Sequence, residues 1–404
     1  MKYIIILGDG MADEPIASLN NKTPLEAAET PCMDYLAKHG KMGLFATVPP
    51  GFHPGSEVAN MTVLGYDVNR SFEGRGVLEA ASIGVDVPQG TMAMRCNLIC
   101  VEGGKIKNHS GGHISTEDAA QLIKAVEEGL GTDKVHFFPG ISYRHLLLVD
   151  GGDKRISCTP PHDVPGTPFA DVMVKADVPE AQPTADLINE LILKSQDILN
   201  DHPINKARKA MGKDPANSIW PWSPGYRPAM STLQELFGIK KGVVISAVDL
   251  IFGIGAYAGL NGVHVDGATG LYDTNYEGKA QAAIDALKDK GTDFVFLHVE
   301  ASDEAGHEGD AELKVRTIEY LDKRIISPIM EAVKTMDEPV TIAVLPDHPT
   351  PCSLRTHTSA PIPFLIYRPG EDGDETCVYS EKEAMKGEYG LVKGDQFIKL
   401  LLNN

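Results

Sequence analysis

Short apolar runs without polar alternation are the feature that most limits what this chain can fold into. They are rich in β-branched residues and lie at 2–7, 243–246, 294–299, 340–345 and 362–367. Such runs are typical of strands that are buried on both faces, as in a parallel sheet. Segments with helical spacing of apolar residues lie between them, for example 279–290 and 311–334. The sequence therefore predicts an α/β fold, with a mostly parallel sheet covered by helices on both faces.

A middle segment of different character interrupts this pattern. Its strand candidates are shorter, as at Ala93–Val101, and it contains one clear helix at Thr116–Leu130. The length of the chain also suits two domains better than one. We therefore expect a larger domain made of 1–88 and 181–404, and a smaller α+β domain, 89–180, inserted into it.

Charge and cysteine usage restrict the partners and the compartment. The 404 residues include 37 Lys and Arg against 56 Asp and Glu, a net charge of −19. Such a surface repels phosphate, so we expect no nucleic-acid or membrane partner. Six cysteines without a C-x-x-C pair indicate a reducing, cytoplasmic setting. We interpret the apolar stretch 243–260, which contains Asp249 and three glycines, as a buried strand followed by a glycine-rich turn rather than a membrane span. Nothing in the sequence specifies an oligomeric state.

Carboxylate, imidazole and hydroxyl groups collect just beyond the predicted strands or in adjoining loops. They are Asp9, Ser56, Asp303, His307, Asp347, His348 and His357. Each has an ordinary explanation by itself: Ser56 as a helix cap, Asp303 with His307 as an i, i+4 charge pair, and a lone aspartate as a turn residue. Because the carboxyl ends of parallel strands share one edge of a sheet, the whole set argues for a cation site there. The set is large enough for two cations beside a serine at a helix N-terminus, an arrangement that suits phosphoryl transfer.

Four motifs in this order resemble a known family. They are Leu7-Gly8-Asp9-Gly10, Gly55-Ser56-Glu57-Val58-Ala59-Asn60, Asp303-Glu304-Ala305-Gly306-His307, and Asp347-His348 with His357. They resemble the alkaline phosphatase superfamily and, more closely, the archaeal-type 2,3-bisphosphoglycerate-independent phosphoglycerate mutases. The resemblance extends from the first predicted strand to about Tyr367, and it implies an alkaline-phosphatase-like fold.

The resemblance implies a role for each matching residue. Ser56 would be the nucleophile that becomes phosphoserine. One divalent cation would be held by Asp9, Ser56, Asp347 and His348, and a second by Asp303, His307 and His357. Manganese is the usual cation, with zinc, magnesium and cobalt as alternatives. The inserted domain would grip a small phosphorylated metabolite and close over the metals.

The inserted segment departs from the family pattern. An Arg-rich stretch is expected where this chain has the loop Asn108–His113, and an Arg-Gly pair where it has Trp220–Gly225. In this respect the chain resembles a bacterial subgroup proposed to act as alternative homoserine kinases. We expect His109 and His113 to contact substrate, with an ordinary polar loop as the alternative. Four further residues could each either contact the anionic part of a substrate or carry an ordinary surface charge. They are Arg75, Arg144, His162 and Asp163.

The sequence leads to one preferred function and to rivals from different classes. The preferred function is the glycolytic interconversion of 3-phosphoglycerate and 2-phosphoglycerate through phosphoserine, without a bisphosphoglycerate cofactor. The nearest alternative is phosphorylation of homoserine in threonine biosynthesis, followed by a phosphatase or another phosphomutase. A catalytically idle metal-binding scaffold is a non-enzymatic alternative, and the complete set of seven ligand positions argues against it.

Overall fold

The computed structural model describes residues 1–403, which contain fifteen strands and sixteen α-helices. The strands are β1 (Lys2–Gly8), β2 (Lys41–Ala46), β3 (Thr91–Glu102), β4 (Lys105–Asn108), β5 (Val135–Phe138), β6 (Arg144–Asp150), β7 (Ile156–Ser157), β8 (Lys175–Ala176), β9 (Ser218–Gly225), β10 (Gly242–Ile245), β11 (Leu260–Val263), β12 (Phe294–Val299), β13 (Val340–Leu345), β14 (Ile362–Tyr367) and β15 (Gly390–Lys393).

The helices cover both long and very short segments. They are α1 (Pro24–Ala27), α2 (Pro31–His39), α3 (Ser56–Val63), α4 (Val68–Ser71), α5 (Arg75–Ser82), α6 (Thr116–Leu130), α7 (Gln182–Asp201), α8 (Pro203–Ala210), α9 (Leu233–Phe237), α10 (Asp249–Tyr257), α11 (Tyr276–Lys288), α12 (Ala301–Glu308), α13 (Ala311–Tyr320), α14 (Ser327–Val333), α15 (Glu381–Ala384) and α16 (Gln396–Leu402). A π-helical segment, Leu321–Ile326, joins α13 to α14. None of these helices combines the length and the hydropathy needed to cross a membrane.

The first compact unit, 1–72 with 229–404, is built on an eight-stranded sheet. Its strand order is β11-β10-β12-β1-β13-β14-β2-β15. The five strands from β11 to β13 are parallel, whereas β14 runs antiparallel to both β13 and β2. Burial of the central strands on both faces explains their unbroken apolar runs. The predicted α/β class with a mostly parallel sheet is therefore confirmed.

The second compact unit, 73–228, is an antiparallel sheet covered by helices. Strands β4, β3, β6 and β5 lie in that order, and β9 also pairs with β3, along Ala93–Ile99. Helix α6 packs on α7, and both bury apolar side chains in a core of their own. A two-stranded ribbon, β7 with β8, completes the unit.

The second unit is wider than the inserted domain expected at 89–180. Helix α5 packs on β3, which brings 73–88 into it. The boundary expected at 181 falls before α7, whose apolar face packs on β9 in the same unit. Long-range pairing between β3 and β9 could not be read from local sequence, and this pairing moves the boundary to 228.

The segment after β10 also differs from its prediction. It was expected to form a glycine-rich turn, but it forms helix α10. The reason is packing: a Cβ on Gly255 would lie 2.5 Å from Cγ1 of Val244, so the glycine permits a close approach of the helix to β10. Gly255 therefore serves helix–strand packing, whereas Gly259, with φ +79°, lies in the turn between α10 and β11.

Candidate active site

Three neighbouring parallel strands deliver the predicted ligands to one edge of the first unit. Strands β12, β1 and β13 are adjacent, and their registers pair Gly8 with Val299 and Leu7 with Leu345. Asp9 therefore follows β1 at the same level at which α12 begins after β12 and Asp347 follows β13. The carboxyl ends of these strands bring together residues that lie hundreds of positions apart in the chain.

Ser56 lies at the first position of α3 and faces His348. Its Oγ lies 3.1 Å from Nε2 of His348, and Gly55, rather than Ser56, occupies the cap position. The hydroxyl of Thr350 donates to Asp303, so Nδ1 of His348, 3.3 Å away, supplies the hydrogen to Thr350. Nε2 of His348 is then unprotonated, and its lone pair accepts the Ser56 hydroxyl. Ser56 is thus held by the site and does not act as a simple helix cap.

Asp9 and Asp347 form an acidic pair beside this serine. Both are buried, and Nε2 of His348 lies 3.6 Å from Oδ1 of Asp9 and 3.5 Å from Oδ2 of Asp347. Asp347 is held by hydrogen bonds from the main chain of Gly10 and the side chain of Asn60. Burial raises the pKa of Asp9 well above its ordinary value, and the charges of Asp347 and Asp303 raise it further. The site therefore concentrates negative charge that a bound cation would neutralise.

His307, His357 and Asp303 form a second group of converging ligands. Nδ1 of His307 donates to the carbonyl of Arg355, and Nδ1 of His357 donates to the carbonyl of Pro54. The two Nε2 atoms consequently face each other at 2.9 Å, and both lie near the carboxylate of Asp303. Two lone pairs directed at each other require a proton or a cation between them. A histidine that binds a metal through one ring nitrogen usually donates the N–H of the other to a carbonyl, a carboxylate or water.

The protonation of this second group follows its contacts. The hydrogen bond with Asp303 raises the pKa of His307 to about 9. Burial opposes ionisation of Asp303, but hydrogen bonds from His307 and His357 outweigh it and hold the pKa of Asp303 well below its ordinary value. Without a bound cation, a proton on His307 therefore supplies the positive charge beside Asp303. The donor sets fit divalent metal ions at both groups.

The second unit carries a separate row of cations and rings, which we call the basic aromatic cluster. Its members are Arg75, Arg95, His109, Tyr143, Arg144, His162 and Trp222. The guanidinium of Arg95 lies 4.4 Å from the ring centre of Trp222, whose other neighbour is His162 at 5.4 Å. His109 continues the row, 6.1 Å from His162 and 5.6 Å from Tyr143. Cations and ring edges placed in this way suit a small anion.

The basic aromatic cluster places three arginines close together, with Glu79 as the carboxylate that pairs with one of them. Burial lowers the pKa of Arg95, and the nearby Arg75 and Arg144 lower it further, although Glu79 forms an ion pair with Arg95 at 3.1 Å. Among residues 1–403, the buried Nε of Arg75 has no hydrogen-bond partner. Burial, His162 and His113 together lower the pKa of His109. A bound carboxylate or phosphate would relieve the repulsion between the arginines.

Comparisons with known proteins give the family. A family model described as 2,3-bisphosphoglycerate-independent phosphoglycerate mutase matches residues 37–205. A protein of that name from Methanosarcina barkeri is 50% identical, with 100% of this chain and 99% of the relative covered. This chain belongs to the 2,3-bisphosphoglycerate-independent phosphoglycerate mutase family.

Further comparisons extend the similarity to a protein of Geobacter and to solved structures. A protein of Geobacter sulfurreducens named as a probable enzyme of this type is 46% identical over 98% of both chains. A solved protein of Pyrococcus horikoshii has a TM-score of 0.83 at 31% identity, covering 100% of this chain and 97% of that one. The cofactor-independent phosphoglycerate mutase of Thermoplasma acidophilum has a TM-score of 0.71 at 26% identity, with coverages of 100% and 99%.

Within this mutase-family chain, the predicted residues are distributed over two places. All seven metal and nucleophile candidates converge at the sheet edge of the first unit. His109, Arg75, Arg144 and His162 meet in the basic aromatic cluster. His113 is exposed with φ +50°, and Asp163 is an exposed partner of His162 at 3.5 Å.

Sequence reasoning missed several residues that the structure brings into these places. His298 contacts Asp9, Thr350 links Asp303 to His348, and Arg95 with Trp222 forms one end of the basic aromatic cluster. His298 interrupts a run predicted as a buried strand, and Arg95 interrupts the apolar residues of the strand candidate Ala93–Val101. Buried polar groups require partners, so each interruption was a signal of a specific contact.

Proposed function

We propose that this chain interconverts 3-phosphoglycerate and 2-phosphoglycerate without a bisphosphoglycerate cofactor. One observation carries the proposal: the hydroxyl of Ser56 lies 3.1 Å from Nε2 of His348, at the edge where both groups of cation ligands converge. Membership of the mutase family supports the same activity. The full-length relatives reported above carry the mutase name.

The proposed reaction proceeds in two displacements at phosphorus. Oγ of Ser56 attacks the phosphoryl group, the bond from phosphorus to the 3-oxygen breaks, and the serine proton leaves Oγ as the released oxygen gains one. The 2-hydroxyl of the held glycerate then attacks phosphoserine, so the Ser56 oxygen departs and is reprotonated. Main-chain N–H groups at the start of α3 favour the phosphoryl anion.

Two divalent cations are part of this proposal, with manganese expected and zinc, magnesium or cobalt as alternatives. One group of ligands is Asp9, Ser56, Asp347 and His348, and the other is Asp303, His307 and His357. Bound cations would lower the pKa of the serine hydroxyl and neutralise the phosphoryl oxygens. The residues themselves fit such ions, since Asp9 Oδ1 is buried without a hydrogen-bond partner among residues 1–403.

We propose the basic aromatic cluster as the site that holds glycerate. The homoserine kinase alternative arose because an Arg-rich stretch is missing at Asn108–His113. Arg75, Arg95 and Arg144 come from other parts of the second unit and supply positive charge near His109. This favours an acidic substrate such as phosphoglycerate over homoserine, which carries no phosphate.

A paired assay on manganese-reconstituted protein tests the activity. One arm supplies 3-phosphoglycerate with enolase coupling, and the other supplies homoserine with ATP and other phosphoryl donors. We expect 2-phosphoglycerate formation and no phosphorylated homoserine. The reverse result would replace the mutase by the kinase. Metal binding without turnover in either arm would favour a scaffold.

A further inference from the structure

His298 lies in the interior of β12 and makes a buried link to the proposed metal centre. Its Nε2 lies 2.9 Å from Oδ2 of Asp9, and its Nδ1 lies 3.2 Å from Oγ of Ser246. Both partners are buried, and Nζ of Lys279 donates to the main-chain oxygen of His298. His298 is therefore held by hydrogen bonds at its main-chain oxygen and at both ring nitrogens.

The contacts with Ser246 and with Asp9 together indicate which nitrogen of His298 carries the hydrogen. The main-chain N–H of Val248 donates to Oγ of Ser246, at 3.1 Å. Oγ of Ser246 keeps its own hydrogen, which it can donate to Nδ1 of His298. A neutral imidazole in this position has its hydrogen on Nε2 and donates it to Asp9. The opposite tautomer would direct a nitrogen lone pair at the carboxylate of Asp9, which is ionised whenever it binds a cation.

This donation leaves the two oxygens of Asp9 in different states. Oδ2 accepts from His298, whereas Oδ1 is buried without a hydrogen-bond partner among residues 1–403. Oδ1 is also the oxygen nearer to His348, at 3.6 Å from its Nε2. The hydroxyl of Ser302 donates to the main-chain oxygen of Asp9 and fixes the backbone of that residue. The free oxygen thus lies on the side of His348, whose Nε2 also contacts Ser56.

We propose that His298 is a positioning residue, which donates Nε2–H to Asp9 and so presents Oδ1 of Asp9 to the cation. Its own nitrogens are not ligands in this proposal, although one of them lies within 4.8 Å of carboxylate oxygens of Asp9 and Asp347. Carboxylate ligands are commonly oriented by such outer hydrogen bonds, whose loss weakens metal binding. The inference rests on the proposed function, because it assumes that Asp9 binds a cation.

Variants at His298 test the donor. His298→Leu removes the N–H, whereas His298→Gln keeps an amide N–H at the corresponding reach. We expect His298→Leu to weaken the Asp9 cation site by about 10- to 100-fold and His298→Gln to recover most of the loss. Electron paramagnetic resonance of free Mn²⁺ during titration gives both dissociation constants. His145→Leu, which removes a different buried imidazole from the second unit, is the control and should bind manganese as the unaltered chain does.

A measurement on the unaltered chain avoids dependence on folding of the variants. With ¹⁵N-histidine labelling, the His298 resonance is assigned by its absence in His298→Gln. We expect hydrogen on Nε2 in the metal-free and in the zinc-loaded protein. Loss of that hydrogen on loading would make His298 a ligand and overturn the inference.

The outcomes separate this inference from the proposed function. If the unaltered chain binds no Mn²⁺ tightly, the proposed metal centre and this inference both fail. If it binds two ions and His298→Leu binds both equally well, only the role of His298 is overturned.

Discussion

At the scale of single residues, the two histidines of one loop have different surroundings. The sequence predicts a substrate contact for both His109 and His113. In the structure, only His109 contacts Tyr143 and His162 in the basic aromatic cluster. His113 is exposed and lies at φ +50°. Sequence spacing could not distinguish them, because the distinction arises from strands that pair far apart in the chain.

We therefore predict that substituting these histidines separately has unequal effects. His109→Ala should reduce mutase turnover by about 10²-fold through lost positioning, whereas His113→Ala should stay close to the unaltered rate. Slow hydrolysis of a small aryl phosphate, which needs Ser56 but no glycerate site, should survive in both. Steady-state rates on both substrates provide the measurement. Equal loss of mutase activity in the two variants would contradict the assigned surroundings.

Another residue-scale prediction concerns His145 and the pH dependence of stability. Burial lowers the pKa of His145 to about 3, and its Nδ1 accepts from the main chain of Gly140. The unfolded chain binds a proton below its reference pKa of about 6.5, while the folded unit does not until about pH 3. The free energy of unfolding should therefore fall as the pH falls from 6.5, by up to about 1.4 kcal/mol per unit from this group.

The measurement is denaturant unfolding at several pH values, followed by tryptophan fluorescence. The two tryptophans of the chain, Trp220 and Trp222, both lie on β9 and so report on the second unit. His145→Leu should show a shallower loss of stability between pH 6.5 and 4.5 than the unaltered chain. Identical slopes would show that His145 is protonated in the folded state.

At the scale of elements, the sequence predicts where several strands of the large sheet begin and end. It does not predict which strands pair or where the boundary between the two units lies. The runs at 294–299, 340–345 and 362–367 are strands with those bounds, because uninterrupted apolar runs need burial on both faces. Asp9 and Asp347 could be assigned to one edge because the carboxyl ends of parallel strands share one edge of a sheet. The antiparallel direction of β14, the pairing of β9 with β3, and helix α10 depend on distant packing that local sequence does not encode.

The turn after β1 gives a prediction at this scale. Gly10 has φ +63°, and a Cβ there would lie 2.7 Å from Oδ1 of Asp303 and from Oγ1 of Thr350. Gly390 has a similar φ of +59°, but a Cβ there would have none of residues 1–403 within 4 Å apart from its chain neighbours. Both alanine variants should lose about 1–2 kcal/mol of stability from the left-handed backbone.

Only Gly10→Ala should also damage the candidate active site, since its methyl group displaces Asp303 and Thr350. We expect weaker manganese binding and little mutase activity in that variant, with both properties retained in Gly390→Ala. Calorimetric metal titration and the enolase-coupled assay measure the two properties. Full activity in Gly10→Ala would contradict the close packing of this turn against Asp303.

At the scale of the whole molecule, two compact units carry two different kinds of site. The first presents carboxylates and imidazoles at a sheet edge, and the second presents arginines, histidines and aromatic rings. This division reconciles a net charge of −19 with an anionic substrate, because positive charge is concentrated locally in the second unit. The opposite character of the two sites supports separate roles in chemistry and in substrate binding.

Removal of metal should therefore abolish activity while leaving the chain folded. Ligand binding stabilises the folded state, so a chelator should also lower the melting temperature, and added Mn²⁺ should restore both properties. Elemental analysis before and after reconstitution should give two ions per chain. Full mutase activity in protein shown to be free of metal would exclude a cation from the mechanism.

The central claim is that Ser56 carries the phosphoryl group between the two hydroxyls of glycerate. The most direct measurement is mass spectrometry of manganese-loaded protein that is quenched during turnover of 3-phosphoglycerate. We predict one added phosphoryl group, located by peptide mapping on Ser56, and neither this modification nor turnover in Ser56→Ala. Turnover in Ser56→Ala, or a phosphoryl group trapped on a different residue, would contradict the account.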